Sequence, residues 1–167
     1  MRLTCFLAVM FVYFLWEDQM TWIQLEILSA ILHRAGDLEL AKIGLNLPQA
    51  MVLYCVNASP EPMTPMKLAR LMHKQPHTIS ALVHRMEAKG LLATRHDLKR
   101  KNWVRVSLTK KGEVAFKRWS ATTMVPDVAF SCLSEKERDM LSAITTILHA
   151  KGVELLRQLI HRRIRSA

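Results

Sequence analysis

The sequence predicts a mainly α-helical chain carrying one small β-hairpin wing. Three observations predict it. Along most of the 167 residues, apolar positions recur at helical spacing. From Gln75 to Gly112 the pattern changes: a short amphipathic helix ends at a glycine, and an alternating arm, a basic tip and a second alternating arm follow. That is the element order of a winged helix-turn-helix, a module that reads DNA. Third, residues 66–119 hold 14 of the 24 Lys/Arg against only Glu87, Asp97 and Glu113. The formal charge of +10 therefore belongs to this segment, because the remainder is close to neutral. Basic charge concentrated in one module is the footprint of a phosphate-binding surface.

The elements follow in order. Leu3–Trp16 is almost wholly apolar behind Arg2. It resembles the apolar region of a signal peptide, yet Glu17-Asp18-Gln19-Met20 supplies no small-residue cleavage pattern. It is also shorter than the ~17–25 residues that span a bilayer, which favours a helix covered by a partner subunit. Glu17–Ala35 is apolar around more than one stripe, so that helix is expected to be covered on several sides and broken by Gly36-Asp37. Leu47-Pro48 opens a second helix with Met51, Val52, Cys55 and Val56 on one face. Asn57–Pro62 reads as a loop. Thr64-Pro65 caps and starts a third helix with Leu68, Ala69, Leu71 and Met72 inward.

The fourth helix starts at Pro76, with Gln75 at the cap position. Ile79, Leu82, Val83 and Met86 share its core-facing side. The opposite side carries His77, Ala81, His84 and Ala88, flanked by Thr78, Ser80 and Arg85, and no acid is expected there. A face selected for solubility alone usually mixes signs. Gly90 is a left-handed cap. Leu91–Arg95 and Trp103–Leu108 form the hairpin arms, with His96–Asn102 as the tip. Thr109 caps a fifth helix that Pro126 terminates, and Ser134 with Glu137 forms a capping box for a long last helix.

Several chemistries find no support. Cys5, Cys55 and Cys132 are odd in number and far apart, with no metal or disulfide spacing, and all three read as buried, inert thiols. The five glycines form no phosphate-cradling loop. Ser107 and Ser134 lack a placed base, and no paired carboxylates share a cleft, so no enzyme and no cofactor is expected. The histidines at 73, 77, 84 and 96 read as exposed or DNA-facing rather than as metal ligands. Trp22, Tyr54, Trp103 and Trp119 read as core or hairpin packing.

Between Asn46 and Leu156 the chain resembles the MarR (multiple antibiotic resistance regulator) family. The resemblance rests on T-I-S-A-L-V-H-R-M-E-A-K-G-L-L at residues 78–92, followed at the matching distance by V-S-L-T-K-K-G at 106–112. Leu47-Pro48-Gln49 and Leu133-Ser134-Glu135 also fit. It departs at the wing tip, where Arg100, Lys101 and Asn102 stand in place of an acid followed by two arginines. The resemblance implies a homodimer with interlocked terminal helices, two winged helices on a near-palindromic operator, and release by a small-molecule effector or an oxidant.

Three segments are thus expected: 1–35 and 126–167 for dimerisation, and 46–119 as the DNA-binding module. The candidate contacts to double-stranded DNA are Gln75, His77, Thr78, Ser80, Ala81, His84 and Arg85 on the fourth helix, and Lys99, Arg100, Lys101 and Asn102 on the wing. The expected activity is that of a cytoplasmic transcriptional repressor. The competing expectation is a membrane-associated protein, with its basic face on anionic lipid and residues 3–16 as anchor.

Overall fold

The computed structural model describes the backbone of residues 2–97, 100–122 and 124–165, and the side chains of 17–96, 104–121, 124–163 and 165. It divides into two compact units, Met1–Val125 and Pro126–Ala167. The first unit runs α1 (Arg2–Ala41), α2 (Leu47–Ala58), α3 (Pro65–Leu71), α4 (Pro76–Ala88), β1 (Leu92–Asp97), β2 (Arg100–Leu108) and α5 (Lys110–Thr122). This is the mainly helical, single-hairpin fold that the sequence predicts.

One contiguous core serves the whole unit. Leu53, Leu68, Ile79, Met86 and Leu92 are its largest fully buried side chains, joined by Leu40 at the end of α1. Phe116 and Trp119 of α5 pack against it, with ring centroids 6.0 Å apart in an edge-to-face arrangement. The helix starts are built from side chains. Asn46 and Gln49 form a reciprocal capping box at α2, and Thr64 Oγ1 accepts from the Lys67 amide at 3.1 Å at α3.

The structure corrects the sequence reading at several points. α1 does not break at Gly36-Asp37 but continues to Ala41, and the chain reverses at Gly44 (φ 73) instead. A helical glycine costs ~0.5–1 kcal/mol. Burying Leu40 returns ~1.5–3 kcal/mol, which is the larger effect. Asp37 is not a breaker: its Oδ1 accepts the Leu47 amide at 2.8 Å and so helps to cap α2. On α2 the buried face is Gln49, Ala50, Val52 and Leu53, whereas Met51 is exposed. On α3, Leu68 and Ala69 are buried but Leu71 is exposed. Trp22 and Tyr54 are exposed rather than packed, and Trp119 is half-buried against the core. α5 ends at Thr122, before Pro126, which instead lies in a short helix, α6 (Val125–Phe130), absent from the sequence reading.

The hairpin pairs Leu92↔Leu108 through His96↔Val104, then shifts register between His96 and Asp97. Residues 100–102, expected in the tip, are already strand, as are His96 and Asp97. The Val106 amide also donates to Met63 O at 2.8 Å, which ties the segment before α3 to the wing. The second unit holds α7 (Glu135–Arg165), opened by the expected box: Glu137 Oε2 accepts from the Ser134 amide and hydroxyl at 2.8 and 2.7 Å. No helix among the described residues is long and apolar enough to cross a membrane.

Two glycines make a paired test. A Cβ built on Gly112 would collide with Leu91 O, whereas one on Gly152 of α7 meets nothing within 4 Å. Gly112→Ala is expected to cost ~1–3 kcal/mol through forced displacement of backbone. Gly152→Ala is expected to add ~0.5–1 kcal/mol by relieving the entropy cost of a helical glycine. Denaturant melts of both variants check the two signs.

Candidate nucleic-acid interface

The candidate interface is built on α4 and the wing. α3 and α4 are joined by a turn in which His73 takes φ 49, and the Lys74 amide returns to Ala69 O at 3.0 Å. Pro76 then starts α4 where a missing N–H costs nothing, and Gln75 makes no side-chain cap bond. The positive end of the helix dipole is therefore not neutralised by an acid in the first turn.

Burial fixes how α4 is rotated. Ile79, Leu82, Val83 and Met86 are all buried, as the spacing predicts. Gln75, His77, Thr78, Ala81, His84 and Arg85 are exposed. Ser80 is half-buried and lines a groove of about 500 Å³ with Lys67 and Arg70 of α3 and Val104 of β2. Lys67 and Arg70 were absent from the sequence-derived candidates, although their i, i+3 spacing places both on one side of α3. Lys67 Nζ lies 2.6 Å from Glu61 Oε2, and this hydrogen bond and charge hold the Glu61 carboxyl below its usual range.

The expectation of an acid-free face needs correction. Glu87 lies 3.8 Å from His84 Nδ1. It is committed elsewhere, however: its Oε1 accepts from the Thr94 hydroxyl at 2.5 Å and the Thr94 amide at 3.0 Å. The hydroxyl bond foremost, then the amide bond, lowers the Glu87 pKa; His84 contributes least. The acid thus staples the end of α4 to β1.

On the wing, Arg95 and Arg105 are directly opposed across the strands, and both are exposed. The alternation of Arg105 and Ser107 was visible in the sequence, but the Arg95 register was not. Arg100, Lys101 and Asn102 lie on β2, with side chains outside the described residues; Lys99 lies wholly outside them. Among the described residues no His, Cys, Asp or Glu cluster could hold a metal. Cys55 is half-buried against the core, which pushes its thiol pKa up, in line with an inert thiol, whereas Cys132 is exposed, contrary to the expectation of burial. Cys5 has its side chain outside the described residues.

Residues 43–101 match the MarR family profile. Over that segment the chain is similar to the MarR family, and its fold is similar to that of MarR-like winged-helix structures. The ligand-bound structure of the organohalide-sensing transcriptional regulator RdhR, crystallised with 2,4-dichlorophenol, superposes with TM-score 0.75 at 27% identity, covering 83% of this chain and 82% of that one. The S. aureus MepR–DNA complex superposes with TM-score 0.72 at 20% identity, covering 77% and 96%. The regulator SlyA gives TM-score 0.73 at 20% identity, covering 80% and 94%. No curated protein matches. The MarR profile is shorter than the Asn46–Leu156 resemblance, whereas the structural likeness extends well past it.

The staple gives a pH test of how α4 is held. Because folding lowers the Glu87 pKa, its stabilisation is present above the ordinary carboxyl value of 4.5 and is lost as pH falls through the folded value. Wild type should therefore melt above Glu87→Gln near neutrality, and the gap should close as pH falls below 4.5. A gap independent of pH would show that the charge of Glu87 is immaterial.

Proposed function

We propose that the chain is a sequence-specific, DNA-binding transcriptional repressor acting as a homodimer on a near-palindromic operator. The observation that supports this reading is the division of α4: one side is wholly buried, while His77, Thr78, Ala81, His84 and Arg85 are exposed on an otherwise tightly held helix. In this reading Gln75 and the first turn of α4 meet phosphate. Thr78, Ser80, Ala81, His84 and Arg85 approach base edges, with His77 beside them. Lys99, Arg100, Lys101 and Asn102 follow the backbone or enter the minor groove. MepR, of the same fold, has been crystallised on DNA. RdhR binds 2,4-dichlorophenol, which supports a small-molecule effector for this chain too.

The homodimer reading rests on uncovered apolar surface in each unit. Trp22, Ile27, Leu28 and Ile31 of α1 are exposed. So are Ile144, Ile147, Leu148 and Leu159 of α7. Such surface marks a protein–protein contact. A second copy of the chain is the occupant we assign, through segments 1–35 and 126–167. Light scattering at micromolar concentration should return twice the 19.2 kDa chain mass; a monodisperse monomer would refute the dimer.

Binding to DNA should weaken with salt at a slope of about −0.9 in log affinity against log salt per phosphate neutralised. Lys101→Ala should flatten the slope and weaken all sequences alike. Ser80→Ala should instead lower operator affinity, by less than the ~1–3 kcal/mol of a good bidentate base contact, and spare random-sequence affinity. Ile79→Ala should lower the melting temperature, at a cost of ~2–5 kcal/mol from lost core packing. If Ser80→Ala melts early and discriminates normally, the readout assignment falls.

A further inference from the structure

Glu61 is the one acid between Glu39 and Glu87, a span that holds α2, α3 and nearly all of α4. Its Oε2 stands 2.6 Å from Lys67 Nζ. Lys67 and Arg70 of α3 line the groove that Ser80 of α4 borders, and among the described residues no acid lines it. The single carboxylate of the span is thus spent on a cation of the groove wall.

Local structure holds both partners in place. Glu61 lies between Pro60 and Pro62, and a residue before proline is confined to extended backbone. The Ser59 hydroxyl donates to Glu61 O at 2.7 Å. Two residues on, Met63 O accepts from the Val106 amide of the wing. Lys67 sits in the first turn of α3, where its amide donates to Thr64 Oγ1 at 3.1 Å. The pair is nevertheless exposed, with 38% of the Lys67 side chain and 73% of the Glu61 side chain open to solvent. An exposed ion pair adds little to folding stability. What it does do is cancel a positive charge beside the face that carries Ser80.

We propose that Glu61 is an internal stand-in for a DNA phosphate: it occupies Lys67 and withholds that cation from the duplex backbone. The inference rests on the reading of α4 and the wing as the DNA-binding surface. Carboxylate and phosphate offer an ammonium the same chemistry, anionic oxygens in a charge-assisted hydrogen bond. The carboxylate is tethered six residues away and is always at hand, whereas a phosphate arrives only when the duplex docks. Glu61 therefore trims the sequence-independent part of the affinity and leaves the base contacts of α4 untouched. Weak backbone binding has a use, since non-specific sites vastly outnumber an operator.

The test measures binding of the full chain to random-sequence duplex DNA by fluorescence anisotropy over a salt series. Glu61→Gln should bind about threefold to fivefold tighter than wild type, the effect of an exposed ion pair near its upper range. Its salt slope should steepen by about 0.9, one further phosphate neutralised. On a Lys67→Gln background the same Glu61→Gln change should gain less than about 1.5-fold, because no ammonium is released and salt screens what remains. Lys67→Gln keeps the backbone bond to Thr64, so all three variants should melt close to wild type. An equal gain with and without Lys67 would show that Glu61 acts only through net charge, and would overturn the proposal. So would a Glu61→Gln variant that melts early and binds DNA as wild type does, since the pair would then be structural alone. Wild-type binding that Glu61→Gln leaves unchanged overturns this proposal and spares the DNA-binding reading. Failure of wild type to bind any duplex overturns both.

Discussion

The burial of Ile79, Leu82, Val83 and Met86 is the constraint on which the rest of the site depends. Four large apolar side chains on one stripe leave α4 a single favourable rotation. Turning the helix would expose them at ~1.5–3 kcal/mol each. Once that rotation is set, the identity of the outward face is no longer free. His77, Thr78, Ala81, His84 and Arg85 must face solvent, and Ser80 must sit at the edge of the α3 groove. The interface is thus a consequence of core packing.

The second constraint is the junction below the wing. Gly90 takes φ 70, and the Leu91 amide donates to Met86 O at 2.9 Å. The Thr109 amide donates to Leu91 O, its hydroxyl donates to Gly90 O at 2.6 Å, and the Gly112 amide donates back to Thr109 Oγ1. Residues about twenty apart are thereby locked through two adjacent carbonyls, and the Glu87–Thr94 staple joins α4 to β1 from the other side. Helix and wing are therefore tied together, as the proposed contact with a duplex at two places would require.

Much of this was legible because it is local. The α4 stripe, the Gly90 cap, the Thr64, Thr109 and Ser134 caps and the alternating Val104, Val106 and Leu108 are short-range patterns with direct structural meaning. What escaped depends on contacts distant in sequence. α1 continues past Gly36 because Leu40 enters the core and Asp37 reaches Leu47. Met51 and Leu71 satisfy a helical apolar pattern yet point outward, since periodicity marks a stripe but not its edges. The Arg95↔Arg105 pairing needed the strand register, and the groove beside Ser80 needed α3 and β2 brought together. Cys132 was read from its apolar neighbours, although the turn before α7 leaves it exposed.

The central claim is that the outward face of α4 meets DNA. Histidines report on it directly, because His77 and His84 lie on that face and His33 on α1 does not. Hydroxyl-radical footprinting of the full chain, with and without saturating duplex DNA, reads side-chain accessibility at all three by mass spectrometry. The account predicts that duplex slows oxidation of His77 and His84 and leaves His33 unchanged. Protection of His33 with His77 and His84 oxidised as fast as in the free protein would contradict it.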